Sequence, residues 1–545
     1  MIRRIPTKRL AASVFAVGLL LAACGSDDKD STTTTTQTTT APSTGDSSSP
    51  SSSTASSTAP STTADTPSSS SEPAADVKPL VIAVSTEPST LDAQLVNDRS
   101  SRVVTSSMYE ALLFRSAEGE IVPLLATEYE ATSDTTWSFT LRDDVTFHNG
   151  EPFNAEAAAF SINRIISEEF GTQRTSYTDG IVEATATDEF TVEVETDGIL
   201  ATLPVQLTQI PMVPPGAADT LDTDPVGTGP YKFVEWAPGV EIVATRNDAY
   251  WGEAPAIKDY IVRVVADNQT ALSALQSGEV DLVIDLLPEQ MDQAPVALSV
   301  PASEFSYIAF NTYLPALSDP RVRVAFNLAI DKDLLAETVY EGQARPNEAQ
   351  HLAEGMLGFN PDLGPFPYDP EGAKALLDEA GFDYNTEITL NVPIGRYLKG
   401  EETAEFVAAQ LEEIGVKIKV NAIEFATFRE EGRIPGDEPG AMDLKYAWNS
   451  NEFGDGSRII AHIICGGSSS KICIPEVDEL MEAAGSTVDQ DARDADYQEV
   501  WAILHENPHS IYLLQQNLIY GTTERLTWEP RVDDEYYVAT MALTS

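Results

Sequence analysis

The sequence predicts an α/β protein built on mixed sheets. Apolar residues alternate over 388–392 and over 416–420, and a helical pattern over 402–414 lies between them, which predicts a strand–helix–strand unit. Residues 231–236 and 240–245 have the pattern of two strands reversed by an Ala-Pro-Gly turn, so they predict an antiparallel hairpin. A strand–helix–strand connection and a tight hairpin connection are therefore both predicted in this chain.

The chain begins with a predicted export signal. Basic residues precede an apolar run over 10–21, which at roughly a dozen residues is too short to span a bilayer. The run ends in Leu-Ala-Ala-Cys, which resembles the bacterial lipobox and implies a signal peptide over 1–23 and lipidation of Cys24. Several acyl carbons would hold the protein on the outer face of the bacterial cell membrane. An ordinary signal with an incidental cysteine is the alternative.

Residues 24–78 are expected to form a disordered tether. From Gly25 to about Asp76 the chain is mostly Ser, Thr, Pro and Ala. Such a segment buries too little apolar surface to offset its own ordering entropy. A flexible segment of about 50 residues spans about 40 Å root-mean-square, at roughly 5–6 Å times the square root of its length.

The net charge of the sequence limits which partners the protein is expected to bind. The 545 residues carry a formal net charge of −53, although the first 23 residues contain four basic and no acidic residues. A body this acidic repels nucleic acid and anionic lipid, which excludes both as expected partners. Apolar residues make up 42%, which is ordinary for a globular protein with a large core.

The folded body starts near residue 79. The continuous apolar run at 80–84 predicts a buried strand, and alternation over 137–141 predicts a half-buried one. Asn154 is expected to cap one helix, and Asp319, which is followed by proline, is expected to begin another. A short helix from residue 268 should end at Gly278.

The most specific motif is Pro-Val-Gly-Thr-Gly-Pro-Tyr-Lys-Phe at 225–233, followed by Arg-Asn-Asp-Ala-Tyr-Trp-Gly at 246–252. A phosphate-binding turn is disfavoured, because no Lys-Ser/Thr pair or helix follows the glycines and Pro230 has no N–H. The two segments resemble the signature of the family 5 extracellular solute-binding proteins of ABC importers, the oligopeptide, dipeptide and nickel binders. Further matches lie at 85–92, 108–112, 121–126, 137–142, 147–150, 310–312 and 319–331.

The resemblance implies the architecture. It predicts a two-lobe, periplasmic-binding-protein type II-like fold with mixed sheets, a hinge of crossing segments and an extra inserted subdomain. Lobe I is expected at 79–113, 221–306 and 515–545, the inserted subdomain at 114–220 and lobe II at 307–514.

The resemblance also implies a solute receptor and not an enzyme. The two lobes would close around a small organic ligand, with a peptide expected, and present it to the ABC permease subunits in the membrane. We expect a monomer without cofactor or metal. A surface sensor or adhesin that does not serve transport is the alternative, since the long tether suits either function.

In peptide binders of this family, a Trp-x-x-Asp stretch places its Asp on the peptide α-amino group. The similar stretch here starts at Trp448 and has Asn451 at the Asp position, so it lacks a charge-assisted bond there. Glu452 and Asp455 are neighbouring carboxylates that could substitute for it. Trp448 is expected to stack on the ligand, with a buried core tryptophan as the alternative. The expected hydrogen-bonding residues are Asn97 and Asp98 from lobe I and Asn449 and Asn451 from lobe II.

Residues 505–509, His-Glu-Asn-Pro-His, match the H-E-x-x-H zinc-protease pattern. The pattern requires both histidines on one helical face, and Pro508 disfavours a helix there. A zinc metallopeptidase is therefore the weaker alternative. Cys465 and Cys473 are close in sequence, and in an oxidising exterior a local disulfide is favoured over two free thiols.

Overall fold

A computed structural model of the chain describes residues 78–95, 98–451, 453–460, 462–467 and 470–544. The predicted signal peptide, Cys24 and the predicted tether up to residue 77 lie outside the described residues. Within those ranges, no helix combines the length and the apolar character that a membrane crossing requires.

The strands of the described chain include some with continuous or alternating burial, such as Leu80–Val84 and Glu241–Arg246. They are β1 (Leu80–Val84), β2 (Leu113–Arg115), β3 (Ile121–Pro123), β4 (Ala126–Ser133), β5 (Thr136–Leu141), β6 (Ile181–Asp188), β7 (Thr191–Thr196), β8 (Tyr231–Ala237), β9 (Glu241–Arg246), β10 (Asp259–Val264), β11 (Leu282–Val283), β12 (Val296–Phe310), β13 (Ala344–Pro346), β14 (Glu387–Pro393), β15 (Lys417–Ile423), β16 (Leu444–Ser450), β17 (Ser510–Thr522), β18 (Leu526–Thr527) and β19 (Ala542–Leu543).

One large mixed sheet runs through the described part of the chain. Its strand order is β15-β14-β16-β12-β17-β11-β1-β10-β9-β8, and β13 also pairs with β17. β1 is parallel to β10 and β11, and β14 is parallel to β15 and β16, whereas the β8–β9 hairpin is antiparallel. The prediction of mixed sheets is confirmed. A separate antiparallel sheet, β4-β5-β7-β6, is formed by residues within 126–196.

Most helices begin where an Asp or Asn side chain accepts a backbone N–H. Asn154 caps α2 and Asp319 caps α5 with a proline in the first turn, as predicted. Gly278 ends α4 in the left-handed conformation that glycine permits. The helices are α1 (Arg99–Thr105), α2 (Ala155–Ile166), α3 (Leu203–Gln206), α4 (Asn268–Ser277), α5 (Pro320–Leu328), α6 (Lys332–Thr338), α7 (Pro370–Ala380), α8 (Gly400–Glu413), α9 (Phe425–Gly432), α10 (Gly456–Ile460), α11 (Pro475–Gly485) and α12 (Gln490–Glu506).

The buried apolar residues form separate clusters on the two ends of the large sheet. The largest cluster surrounds β1 and includes residues from 80–284 and 520–541. Two others gather residues 308–514 around β14 and residues 349–512 around α12. The described chain therefore has more than one core. The residue boundaries expected for the two lobes and the inserted subdomain stay a prediction.

β12 and β17 join the two ends of the sheet, and their pairing is interrupted. The register shifts between Pro301 and Phe305 and again before Tyr307. Side chains replace part of the backbone ladder there: Ser306 Oγ donates to Leu514 O at 3.2 Å, and Leu514 N donates to Ser306 Oγ at 3.2 Å. This break makes the crossing strands locally irregular.

Two local features secure loops of the structure. Cys465 and Cys473 lie within disulfide-bonding distance, with their Cα atoms 4.3 Å apart.

Asp281 is buried and accepts from Val81 N at 3.0 Å and from Arg525 Nε at 2.7 Å. A second nitrogen of Arg525 donates to Pro79 O at 2.9 Å. Asp281 and Arg525 thus fasten the first described residues to the end of β17.

We expect Asp281→Asn to lower the free energy of unfolding by about 1–3 kcal/mol, because a buried charged partner of Arg525 and Val81 N is lost. Urea unfolding measures the change. Asp248→Asn is the matched control, since Asp248 pairs with Arg246 at 2.9 Å but its side chain is 79% exposed. Equal midpoints for the two variants would contradict this role of Asp281.

Candidate ligand-binding site

The glycines of the 225–233 motif allow a close approach of two backbone segments. A Cβ atom on Gly227 would lie 2.2 Å from Met108 O, and one on Gly229 would lie 2.8 Å from the same atom. Gly229 N donates to Met108 O at 3.0 Å, and Tyr231 N donates to Ser107 O at 3.1 Å. Both glycines are therefore required by packing.

The carboxylate of Glu110 joins three segments that the sequence singled out. Oε2 accepts from Thr228 Oγ1 at 2.8 Å and from Trp251 Nε1 at 3.0 Å, and Oε1 accepts from Tyr250 OH at 2.7 Å. Burial raises the pKa of Glu110, while these three hydrogen bonds act in the opposite direction. We call Glu110 and its three partners the Glu110 cluster.

His148 holds the same turn from the other side. Its Nε2 lies 2.9 Å from Gly229 O, and its Nδ1 accepts from Gly227 N at 3.3 Å. Burial lowers the pKa of His148 to about 4, so the ring is neutral at pH 7. His148 is thus a structural residue of the turn.

A cavity of about 250 Å³ lies beside the Glu110 cluster. Its lining residues come from 93–124, 174–250 and 535–540. Apolar and aromatic side chains form most of the wall, and a few charged groups interrupt it, as in small-molecule sites. The wall includes Arg102, Tyr109, Glu110, Leu113, Phe114, Leu124, Arg174, Pro211, Tyr250, Glu535, Tyr537 and Ala539.

The charged wall residues are oriented by the protein. Arg102 donates to Glu535 at 3.0 Å, and Ser106 Oγ donates to the other oxygen of Glu535 at 3.0 Å. Burial raises the pKa of Glu535, and Arg102 opposes that shift. Arg174 donates to Ala93 O at 3.1 Å and to Gln209 O at 2.6 Å. A ligand would meet polar groups whose positions are already fixed.

Asp98, one of the two ligand residues predicted from lobe I, caps α1. Its carboxylate accepts from Ser101 N at 2.9 Å and from Ser89 Oγ at 2.9 Å. It does not line the cavity, although its helix supplies Arg102 to the wall. Asn97 lies outside the described residues, so its predicted role stays a prediction.

Trp448 and Asn449 lie on β16 and do not line the cavity. The Trp448 ring stacks on Tyr397 with centroids 5.2 Å apart, and its Nε1 donates to Tyr446 OH at 2.7 Å. It packs, half-buried, against the cluster around β14. Asn449 pairs with Phe305 of β12. Ligand contact by either side chain stays a prediction.

Asn451 is fully buried and shapes a turn. Its Nδ2 donates to Asp455 O at 3.0 Å, and its Oδ1 accepts from Gly454 N at 3.0 Å. Asp455, which was considered as a substitute carboxylate, is bonded to Arg493 at 2.6 Å. Glu452 lies outside the described residues. In this conformation the Asn451 amide is occupied by the turn, and its predicted ligand contact stays untested.

The same turn makes one of the contacts between the two ends of the molecule. Phe453 packs on Tyr177 with ring centroids 5.6 Å apart, and Val205 and Ile121 complete this small apolar cluster. The Arg174 guanidinium lies 5.0 Å from the Tyr177 ring centroid. Because Arg174 also lines the cavity, this contact lies directly beside it. We call Phe453, Tyr177, Val205 and Ile121 the closing contact.

The geometry of residues 505–509 does not match a zinc protease. α12 ends at Glu506, so His505 and His509 do not share a helical face. His505 stacks on Phe366 with centroids 4.5 Å apart, whereas His509 turns into the interior beside His351. Among the residues that the structure describes, no group of three His, Cys, Asp or Glu is placed to hold a metal ion.

Most residues of the cavity wall were not predicted from the sequence. Tyr109 and Glu110 lie in a segment that was singled out, but only as a family match. Arg174 and Tyr537 carry no local signal and lie far apart along the chain. Both side chains line one cavity only because the tertiary fold brings their segments together.

Comparisons with known proteins identify the family and the fold of the chain. The family model of bacterial extracellular solute-binding proteins, family 5 Middle, matches residues 120–451. The glutathione-binding protein GsiB of Pectobacterium atrosepticum is 26% identical over 478 residues, which cover 84% of this chain and 92% of that protein. The dipeptide-binding protein of Escherichia coli K12 is 25% identical over 485 residues, with 81% and 90% covered.

Solved structures resemble the whole described fold. The structure of HbpA2 from Haemophilus parasuis has a TM-score of 0.76 at 23% identity and covers 86% of this chain and 100% of that one. NikA from Brucella suis, in complex with Fe(III)-EDTA, has a TM-score of 0.77 at 24% identity, with 85% and 99% covered. At these identities the likeness establishes the fold.

We expect Gly229→Ala to lower the free energy of unfolding by about 1–3 kcal/mol, because the added Cβ would press on the backbone of residues 107 and 108. Urea unfolding measures the loss. Gly364→Ala is the matched control, since a Cβ there meets no atom within 4 Å. If both variants unfold at the same urea concentration, the close approach at Gly229 does not matter for stability.

Proposed function

The chain belongs to the bacterial extracellular solute-binding proteins of family 5, and we propose that it is the lipid-anchored receptor of an ABC importer for a short peptide. The family membership and the two-lobe, periplasmic-binding-protein type II fold are the premises. Its relatives are binding proteins and not enzymes. The ligand class, the anchor and the permease partner are the proposal.

The observation that carries the proposal is the position of the cavity beside the closing contact. Every residue of the cavity wall lies outside 307–514, so a ligand would act on the closing contact through Arg174, which lines the cavity and lies 5.0 Å from the Tyr177 ring centroid. A ligand shifts a conformational equilibrium only through its differential affinity for the two states. The closed form would therefore be populated when the cavity is filled, and a permease would recognise that form.

The chemistry of the cavity supports a short peptide. Aromatic and aliphatic walls suit amino-acid side chains, and the fixed charged pair of Arg102 and Glu535 suits backbone polar groups. Relatives named for glutathione and dipeptides bind solutes of this class.

The anchor would leave the receptor free to reach the permease. Cys24 would carry the lipid, and residues 25–77 would separate it from β1. The expected location is the outer face of the bacterial cell membrane, with one receptor acting as a monomer. The acidic net charge would keep the folded body away from anionic lipid headgroups.

Native mass spectrometry of the protein beginning at Val77, purified without denaturation, tests the ligand class. We expect release of short peptides on denaturation. A single non-peptide mass would be consistent with a solute receptor but would contradict a peptide as its ligand. If the protein is empty, and if no peptide, sugar or metal chelate raises its melting temperature, the proposed receptor function is contradicted as well.

Phe453→Ala should weaken binding of a recovered ligand about tenfold, which is about 1.4 kcal/mol, because the closed form loses an apolar contact that the open form does not make. Isothermal titration calorimetry measures the affinity, and small-angle scattering measures the closed fraction. Val488→Ala is the control, since Val488 is 53% exposed. Unchanged affinity in the Phe453 variant would remove the closing contact from the binding equilibrium.

A further inference from the structure

A cluster of rings surrounds His351 in the interior of the 307–514 segment. His351 lies between β13 and α7, and His509 lies just before β17. Their ring centroids are 5.1 Å apart, and the ring of Trp501 from α12 lies 5.8 Å from His351 and 6.5 Å from His509. Tyr307 and Tyr512 enclose the group at 4.6 Å and 5.4 Å from His351.

Four polar atoms of this cluster are buried without a hydrogen-bond partner among the described residues. They are Nδ1 and Nε2 of His351, Nε2 of His509 and Nε1 of Trp501. His351 and Trp501 are fully buried, and His509 is 6% exposed. Buried polar groups are nearly always satisfied, so four such atoms at one place indicate a bound species that satisfies them.

The protonation state of the two imidazole rings determines which hydrogen bonds the bound species must make. Burial lowers the pKa of His351 far below its usual value and that of His509 to about 3. The neighbouring guanidinium of Arg323 lowers the pKa of His509 further. Both imidazoles are therefore neutral at pH 7, and a neutral imidazole carries one N–H donor and one acceptor nitrogen.

The occupant must therefore both donate and accept hydrogen bonds. Nε1 of Trp501 is only a donor, and His351 presents one donor and one acceptor. A metal cation could use only the acceptor nitrogens, and it would leave the N–H of Trp501 and one N–H of His351 unsatisfied. Water is the smallest molecule that serves both kinds of atom.

The ring centroids lie 4.6–6.5 Å apart, which is direct ring contact, so the bound species would lie at the ring edges that carry the nitrogens. We propose that His351, His509 and Trp501 form an internal hydration site that holds one or two ordered waters. The H-E-N-P-H segment would thus contribute one histidine to a water site and none to a catalytic metal.

The site lies against the irregular part of β12. Tyr307, which contacts His351 and His509, is the residue before which the pairing of β12 with β17 changes register. Water-mediated bonds can re-form after small displacements because a water can reorient. The site would therefore place water-mediated hydrogen bonds, which can rearrange, beside the two strands that connect the cores.

His351→Phe tests the proposal by the sign of its effect. If waters fill the site, the variant removes their partner, leaves Trp501 and His509 unsatisfied, and lowers the melting temperature by roughly 2–6 °C. If the site is dry, the variant removes two unsatisfied atoms and raises the melting temperature. Tyr307→Phe is the control, because it keeps all four atoms, and its melting temperature should change by less than about 1 °C.

A high-resolution crystal structure of the unmodified protein gives a second measurement that does not depend on the variant folding. Ordered water within hydrogen-bond distance of His351 and Trp501 would support the site. A dry contact, or metal in stoichiometric amount by elemental analysis together with a metal peak between the imidazoles, would overturn it.

Discussion

The Glu110 cluster is the interaction on which the first half of the molecule depends. One buried carboxylate accepts from Thr228, Tyr250 and Trp251, and so joins the segment around Glu110 to both ends of the β8–β9 hairpin. The cost of burying Glu110 is offset only while all these donors are present. The same residue forms part of the cavity wall, so its packing also fixes part of the shape of the proposed binding site.

This arrangement gives a physical meaning to the signature of the family. Gly227 and Gly229 permit the close approach to Met108, and Tyr250 and Trp251 supply donors to Glu110. His148 holds the turn that contains Gly227 and Gly229, because its Nε2 lies within hydrogen-bond distance of Gly229 O. In this chain the motif therefore holds the scaffold, and its Pro230 and Tyr250 also line the cavity.

Local sequence patterns predicted much of the fold but little of the candidate site. The cap residues Asn154 and Asp319 could be recognised because a helix start depends on a few neighbouring residues. Asn451 matched a binding motif by position, yet the structure uses its amide within a turn. Arg174 and Tyr537 reach one cavity only because distant segments pack together, and periodicity carries no information about such contacts.

The place where the folded body begins has a mechanical consequence. β1 begins at Leu80, close to the first described residue, and lies in the interior of the large sheet, parallel to both β10 and β11. If the preceding residues tie the protein to a membrane, a pull along the chain acts parallel to these strands. It would load their hydrogen bonds in shear, so that many must break together, whereas a pull across the strands would open them one at a time. Asp281 and Arg525 add a clamp at the same point. The receptor would resist drag on its anchor without unravelling from the attached end.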